Sequence, residues 1–344
     1  MKKEVIYLTV FLALIAGLVF VLRTPASFSV KNGDTSDKAS AEDEKKDADS
    51  VNNDLNNTSP ACLPGKRLFA VMLGGDTEAR PLAGISEAKI MIEMPVVTGS
   101  INRFMAMFDC MNYQEIGPIR SARHDFIELA EGFDAIFAHW GGSHFALDKL
   151  KTKVIDNLDA LPNPSNAFYR KSGLYAPHNG FTSLARLENA SMKLNYRLEN
   201  EISGFVTSNA GESSMVASTL NVGYPSAFAV RYEYDPKTNS YLRWRAGTKE
   251  IDRNTSKQVA VKNVVVMVAK SQQIEGQYND VDIIGSGEAS VFQNGVEIKG
   301  SWKNSSEKGK LIFINKNGEE IKMISGSVWI SVIEPSETYN YITK

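Results

Sequence analysis

The sequence predicts a layered α/β domain with a mixed sheet, followed by a smaller all-β domain and preceded by an N-terminal transmembrane helix. Residues 67–224 alternate short apolar runs with segments that begin at helix-capping residues, which is typical of α/β layers. Residues 225–344 contain short strand-like runs and two hairpin signals, Asn294-Gly295 and Asn317-Gly318. An uninterrupted apolar segment lies near the N terminus.

Residues 1–28 are predicted to form a short cytoplasmic tip and a membrane anchor. The run Val5–Leu22 holds 18 residues without a charge, which is long enough for a helix to cross a bilayer. Lys2 and Lys3 precede this run, so the positive-inside rule predicts a cytoplasmic N terminus and an extracytoplasmic body. A cleaved signal peptide is the alternative. No cysteine for lipidation lies near the end of the run.

Composition separates a linker from the globular body and limits the partners. Residues 29–66 are rich in Asp, Glu, Lys, Asn and Ser, and such a segment is predicted to be a disordered linker. The formal net charge of −2 argues against a nucleic-acid partner, because binding phosphates requires a dense basic face. Cys62 and Cys110 are too few for a four-thiolate zinc site. Both a disulfide and two free thiols are compatible with their spacing.

Buried strands and three helices are predicted in residues 67–224, and strands alone in residues 225–344. The second region shows no helical period, so a compact sandwich or barrel is expected there. Apolar runs predict the first strands at 68–73, 88–97, 103–108 and 134–139. The predicted helices follow the capping residues Ser121, Ser143 and Thr182 and end near residues 131, 151 and 198.

The stretch 115–179 is predicted to hold the functional site, because it contains all four histidines of the chain. Arg120 and Arg123 lie beside Ser121 at the predicted start of the first helix. A helix start exposes unpaired N–H groups and the positive end of the helix dipole, so two added guanidinium groups favour an oxyanion. In the alternative, both arginines are structural and pair with acidic residues. The candidate partners are Glu93, Asp125 and Asp134.

A second helix start and a turn are predicted to complete the site. Glycines in the segment 139–143 permit close approach of a ligand, and Ser143 offers a hydroxyl group. A helix cap explains Ser143 more simply than a nucleophile elbow, because the second glycine of that motif is missing. Trp140 would stack on a sugar or pack in the core. The predicted ligand-binding residues are therefore Arg120, Arg123, His139, Ser143, His178 and Asn179.

The histidines allow three interpretations. Imidazole is a good zinc ligand, but no His-x-x-x-His pair and no acidic cluster accompanies them, so neither a metal nor a cofactor is predicted. His139 or His178 would act as a general acid or base, oriented by Asp134 or Asp148. Otherwise the histidines form hydrogen bonds in a binding crevice or in the core. His124, in the first turn of its helix, is expected to be exposed.

Several phrases follow one another in a distinctive order. They are R-F-M-A-M-F at 103–108, G-P-I-R-S-A-R at 117–123, F-A-H-W-G-G-S at 137–143, A-P-H-N at 176–179, N-V-V-V at 263–266 and V-W-I at 328–330. In this order they resemble the YerB-like family of bacterial extracytoplasmic proteins, a domain of unknown function with a C-terminal companion domain. The resemblance implies an envelope location, two domains and no established reaction. Family members are typically lipoproteins, whereas this chain is expected to use its N-terminal helix.

These features predict a single-pass membrane protein with an extracytoplasmic body. Its α/β domain is expected to bind an anionic or glycan-type ligand, such as a cell-wall glycan or an anionic polymer. One alternative is a hydrolase or transferase that acts on envelope polymers, with His139 or His178 as the catalytic residue. Another is a scaffold that binds envelope proteins through the β-rich domain.

Overall fold

The structure is a computed structural model whose described residues belong to one compact unit. Among these residues, no helix combines the length and the apolar character that a membrane span requires. The predicted anchor, Cys62 and Cys110 lie outside the described residues. The described residues are 65–97, 102–109, 115–202, 204–209, 211, 217–224, 226–276, 278–306 and 308–343.

Strands predominate among the described residues. The α-helices are α1 (His124–Gly132), α2 (His144–Lys151) and α3 (Leu184–Lys193), and short 3-10 helices lie at Thr77–Ala79, Pro164–Asn166 and Ser226–Phe228. The strands in chain order are β1 (Phe69–Gly74), β2 (Ile90–Pro95), β3 (Asn102–Phe108), β4 (Ile136–His139), β5 (Asn157–Asp159), β6 (Tyr169–Arg170), β7 (Gly180–Phe181), β8 (Thr207–Ser208), β9 (Ala217–Val222), β10 (Val230–Asp235), β11 (Ser240–Arg245), β12 (Thr248–Lys249), β13 (Ala260–Val261), β14 (Asn263–Val268), β15 (Ser271–Glu275), β16 (Tyr278–Val281), β17 (Gly285–Gln293), β18 (Val296–Asn304), β19 (Ile312–Asn315), β20 (Met323–Ile324), β21 (Val328–Ile333) and β22 (Tyr339–Thr343).

Strands from both halves of the chain form one mixed sheet. Its ten strands follow the order β19-β18-β17-β14-β21-β2-β3-β1-β4-β5. β1 runs antiparallel to β3 and parallel to β4. β2 runs parallel to β21, with Ile90 opposite Val328, and β21 runs parallel to β14. The hydrogen-bonded sheet is therefore continuous across residue 224, where the sequence predicted a boundary.

The mixed sheet is confirmed, but residues 225–344 do not form a sandwich or barrel of their own. Five of their strands join the ten-stranded sheet, and others form a six-stranded sheet with β9, in the order β12-β11-β10-β9-β22, in which β13 pairs with β11. The reason lies in β21, which is buried at every position. A strand that is apolar on both faces needs a central place in a sheet and cannot form an exposed edge.

Each face of the ten-stranded sheet is covered by a different layer. Alternate residues of a strand point to opposite faces. Phe69 and Val71 of β1 belong to a core shared with α3 and the six-stranded sheet. Ala70 and Met72 belong to the core that also contains apolar side chains of α1 and α2. The carboxyl end of β1 therefore opens towards both layers.

One of the three predicted helix caps is confirmed, and two are wrong by one or two residues. Ser143 caps α2, because its Oγ accepts a hydrogen bond from a backbone N–H of the first turn. Arg123 takes the N-cap position of α1 in place of Ser121. Ser183 caps α3 in place of Thr182. Thr182 and Ser183 have similar capping tendencies, so the sequence alone does not choose between them, whereas Arg123 occupies its N-cap position without a side-chain hydrogen bond.

Candidate functional site

Arg120, Asp76 and His178 meet at the carboxyl end of β1. Asp76 forms an ion pair with Nη2 of Arg120. The same Nη2 lies 3.4 Å from Nδ1 of His178. Because a guanidinium can only donate, Nδ1 accepts in this contact and the proton of a neutral ring would lie on Nε2. A Cβ at Gly74 would lie 3.1 Å from Nε of Arg120, so the glycine gives the guanidinium its space.

Two further arginines lie beside this group. Arg103, at the start of β3, is buried and donates from Nη1 to the carbonyl oxygen of Ser121 at 2.9 Å. The guanidinium of Arg123 lies 5.4 Å from the ring centroid of Tyr278. The positive charge of Arg120 contributes to the lowered pKa values of both Arg103 and Arg123. We call this group the arginine crevice; it comprises Asp76, Arg103, Arg120, Arg123 and His178.

The pKa values in the arginine crevice reflect burial first and the neighbouring charges second. Burial, followed by the charges of Arg123 and Arg120, lowers the pKa of Arg103 to about 9. Burial is also the main cause of the lowered pKa of Arg123. Burial by itself would raise the pKa of Asp76, but Arg120, Arg103 and His178 outweigh it and lower that pKa. Arg120 and Arg103 therefore act on the carboxylate of Asp76, while Arg123 places a third positive charge between Arg120 and Asp125.

Each arginine of the crevice keeps an unused donor. The buried Nε–H groups of Arg103, Arg120 and Arg123 have no hydrogen-bond partner among the described residues. A buried N–H group without a partner costs about 1–3 kcal/mol, so most such groups in proteins are paired with protein or water. An oxyanion supplies several acceptor atoms and negative charge together, which is the chemistry that the crevice lacks.

The starts of α1 and α2 lie side by side next to the crevice. The N–H of Ala122 donates to the carbonyl oxygen of Gly141 at 2.9 Å, and that of Ser143 donates to Ala122 at 3.2 Å. The side chain of Ser143 is buried, and its Oγ accepts from the N–H of Ala146 at 3.2 Å. Its hydroxyl thus serves α2 as a helix cap, which favours the structural interpretation of this residue.

His139 is a core residue. Its side chain is fully buried, with Nδ1 2.9 Å from the carbonyl oxygen of Gly141 and Nε2 3.3 Å from Oδ1 of Asn157. The carboxylates expected to orient it lie elsewhere, since Asp134 pairs with Arg197 and Asp148 pairs with Lys151. His139 therefore holds the strand-to-helix turn and does not face the arginine crevice.

Asn179 and Trp140 also have partners within the protein. Oδ1 of Asn179 accepts from Nη1 of Arg170 at 2.6 Å. The guanidinium of Arg170 in turn lies 4.1 Å from the ring centroid of Trp140. By contrast, the ring of Tyr175 is 89% exposed, and its carbonyl oxygen accepts from the N–H of His178 at 2.9 Å. Tyr175 is thus the aromatic side chain on this turn that is free to contact a ligand.

His124 is half-buried and paired, in contrast to the expected exposure. Its Nε2 lies 3.0 Å from Oδ1 of Asp280 and 3.1 Å from Oδ1 of Asp125. Ligand atoms of the three residues all lie within 4.8 Å of one another, so they could hold a metal ion. Burial, then the charge of Asp280, raises the pKa of Asp125 well above its usual value.

His144 lies 3.1 Å from Glu275 of β15, and His124 contacts Asp280 of β16. Two histidines therefore connect the β15–β16 hairpin to the helices.

Asp76 and Arg103 belong to the crevice although no sequence pattern marked them. Asp76 follows the Gly74-Gly75 end of a buried strand, and ligands often bind at the carboxyl ends of strands, so its position was an available signal. Arg103 opens an apolar strand, and its sequence context gives no comparable signal. Asp76 pairs with Arg120 in place of the acidic residues expected from the sequence.

Comparison with known proteins places these residues in a family. The N-terminal domain described as "Protein of unknown function (DUF3048)" matches residues 57–197, and the corresponding C-terminal domain matches residues 220–330. A protein of Bacillus subtilis (strain 168) named "Putative lipoprotein YerB" is 32% identical over 274 residues, which are 78% of this chain and 81% of that protein. The chain belongs to the DUF3048 family.

The fold of this DUF3048 protein is also that of a solved structure. The crystal structure of the YerB protein from Bacillus subtilis matches with a TM-score of 0.73 and 29% sequence identity. The match covers 82% of this chain and 97% of that one. The resemblance to the YerB-like family is therefore confirmed in sequence and in fold, and all five residues of the arginine crevice lie within the matched N-terminal domain.

Proposed function

We propose that this chain is a membrane-attached extracytoplasmic protein whose arginine crevice binds an anionic ligand of the cell envelope. The observation that supports the proposal is a cluster of three neighbouring guanidinium groups, of which only Arg120 forms an ion pair with Asp76. Each of the three retains a buried Nε–H without a partner among the described residues. A phosphate-bearing polymer or an acidic glycan supplies the missing charge and acceptors.

The location rests on two independent supports. The relative from Bacillus subtilis carries the name "Putative lipoprotein YerB", and lipidation attaches a protein to a membrane surface. The chain itself carries the charge-free run Val5–Leu22, preceded by two lysines, which fits an uncleaved anchor with an extracytoplasmic body. Single-pass attachment through this run is therefore part of the proposal.

The ligand would bind in competition with Asp76. Arg120 is only 13% exposed and already pairs with Asp76, so an incoming oxyanion shares or replaces that carboxylate. Arg103 lies deeper and adds charge without leaving its contact with Ser121. The Nε2–H of His178 would donate a further hydrogen bond, and the exposed ring of Tyr175 offers a surface for a sugar.

Calorimetric titration of the full chain tests this proposal, with inorganic phosphate and a purified poly(glycerol phosphate) as probes. Arg120→Gln should weaken binding of both probes at least tenfold, because it removes the partly exposed guanidinium. The matched control is Lys308→Gln, which removes one positive charge at the other end of α1, where Lys308 is 78% exposed and lies 3.4 Å from Glu131. Equal loss in both variants, or no binding by the unmodified chain, would refute the proposal.

His178 supports a second candidate function, a hydrolase or transferase that acts on envelope polymers. Its ring lies beside the positive charge of Arg120, so it could move a proton while the arginines hold charge on the substrate. Release of soluble fragments from the polymer by the full chain, abolished by His178→Ala but not by His144→Ala, would establish an enzyme. Binding of the polymer without release of fragments would support the proposed binding function.

Binding of partner proteins through residues 225–344 stays a prediction from the sequence.

A further inference from the structure

A second basic group lies on the opposite face of the ten-stranded sheet. Asn102 and Arg103 are neighbours in β3, so their side chains point to opposite faces. Arg103 faces the arginine crevice, whereas Nδ2 of Asn102 donates to Oε1 of Glu93 at 3.1 Å. Glu93 is fully buried and meets two arginines of β11, Arg243 and Arg245. This group sits between the two large sheets.

The two arginines of β11 differ in their hydrogen bonds. Arg243 is satisfied, since it donates to Glu93 at 2.6 Å, to Glu250 at 3.0 Å and to the hydroxyl of Tyr232. Arg245 is only 1% exposed, yet its Nε, Nη1 and Nη2 all lack a hydrogen-bond partner among the described residues. Its nearest carboxylate oxygens lie at 3.3 Å on Glu93 and 3.7 Å on Glu250, without hydrogen-bond geometry.

Arg245 lies in the buried wall of a pocket of about 230 Å³. Glu250 forms that wall with it, while Thr248 and Lys249 are exposed at the rim. Arg80 completes the pocket, and its buried Nε also has no partner among the described residues. Two arginines that line the pocket therefore keep unused, buried donors.

The charges around this pocket do not balance. Arg80, Arg243 and Arg245 are the cations of this group, and Glu93 and Glu250 are the carboxylates that act on them. Burial, followed by the charge of Arg245, lowers the pKa of Arg80 to about 10. Arg80 is thus still charged at neutral pH, and the described group holds more positive than negative charge.

We infer that this pocket is a second anion site, which binds a single small oxyanion group, a phosphate or a carboxylate. We call it the β11 pocket; Pro81 and Ile251 line it together with the polar residues Arg80, Arg245, Thr248, Lys249 and Glu250. Guanidinium donors match the paired oxygens of such groups, and an anion offsets the excess positive charge. Its volume is below that of ordinary ligand cavities, so it suits one charged group and not a polymer chain. Several water molecules are the competing occupant.

The β11 pocket is separate from the arginine crevice, although one segment touches both. Nη2 of Arg80 lies 3.3 Å from the carbonyl oxygen of Gly75, and a Cβ at Gly75 would lie 3.3 Å from Nη2 of Arg245. The next residue, Asp76, pairs with Arg120 on the other side. The two sites therefore lie on opposite faces of the sheet, and their occupancies can be measured separately.

Calorimetric titration of the full chain with inorganic phosphate, and separately with acetate, at fixed ionic strength tests this inference. Lys249→Glu places a carboxylate at the exposed rim of the β11 pocket without altering the buried arginines. It should weaken the binding of the anion to the β11 pocket at least tenfold. Lys257→Glu makes the same charge change at an exposed position outside the pocket and should change affinity less than twofold. Comparison of the two probes shows whether phosphate or carboxylate is preferred.

Arg120→Gln distinguishes this inference from the proposed function. It should abolish binding in the arginine crevice and leave the binding that is sensitive to Lys249→Glu. Arg80→Gln provides a second variant in the pocket and should weaken the same binding. Identical isotherms for Lys249→Glu and Lys257→Glu would overturn the inference and leave water as the occupant. Failure of Arg120→Gln alone to change binding would instead refute the proposed function.

Discussion

The arginine crevice and the Arg243–Glu93 pair place the same chemistry on opposite faces of one sheet, with different results. Arg243 and Glu93 are fully buried and every nitrogen of Arg243 has an acceptor. In the crevice, Arg120 is partly exposed, Arg120 and Arg103 both act on Asp76, and Arg123 adds a third positive charge next to Arg120. Guanidinium groups with complete partners hold the layers together. Guanidinium groups with unused donors at a surface indicate a ligand.

This comparison predicts a large stability effect at Arg243. Arg243→Met leaves Glu93 buried without its closest cation, so it should lower the free energy of unfolding by about 3–5 kcal/mol. Arg231→Met is the control, because Arg231 on the neighbouring strand forms an exposed pair with Glu233 and should contribute less than about 1 kcal/mol. Urea denaturation monitored by circular dichroism measures both. A loss of similar size in the two variants would contradict the conclusion that the buried pair of Arg243 and Glu93 stabilises the fold more than an exposed pair.

Glu337 is a half-buried carboxyl group near Glu93, so its protonation gives a second test of the buried charges on this face of the sheet. Burial, then the charges of Glu334 and Glu93, raises its pKa to about 7. A raised carboxyl pKa means that the folded state binds the proton more tightly. The resulting stability is complete below the unfolded pKa of about 4.3 and is lost as pH rises through 7.

Glu337→Gln should therefore stabilise the protein at pH 8 by about 1 kcal/mol, a figure reduced for the partial exposure of the side chain. At pH 4 the variant and the unmodified chain should unfold at the same denaturant concentration. Denaturation curves at both pH values measure the difference. An equal difference at both pH values would show that packing, and not the proton, is responsible.

Asp76→Asn should have the smallest effect on stability and should strengthen the binding of phosphate. The pKa of Asp76 is lowered overall, so its pairing stabilises the fold above the unfolded pKa of about 3.9 and fades as pH falls through the folded value. With allowance for solvent exposure, the loss at pH 7 should be below about 1 kcal/mol. Because the competing carboxylate is removed, phosphate should bind at least threefold more tightly. Weaker binding would mean that Asp76 positions Arg120 for the ligand.

Local sequence patterns predicted local features, but they did not predict which distant segments of the chain pair with one another. The cap at Ser143 depends only on its own turn, and the sequence identified it. The link between Arg120 and His178 was anticipated as a shared site because both lay in one unusual stretch. The pairing of β2 with β21 depends on residues far apart in the chain, although the continuous apolar run of β21 was already typical of a central strand.

Ionic partners were the hardest part to predict. Asp76 was missed because a carboxylate after two glycines also suits an ordinary turn. Arg243 and Arg245 alternate with Leu242 and Trp244 in β11, which is the pattern of a strand with one solvent-facing side. Their burial follows from the approach of the second sheet, and the sequence of β11 carries no sign of that approach.

The central position of β21 also governs how the protein can be made. Ile90 pairs with Val328, so β2 lacks one neighbour until nearly the whole polypeptide has left the ribosome. Until then, the apolar edge of β2 is open to strands of other nascent chains. Non-local pairing of this kind slows folding. The open edge of β2 is therefore the place where incomplete or unfolded chains are expected to associate.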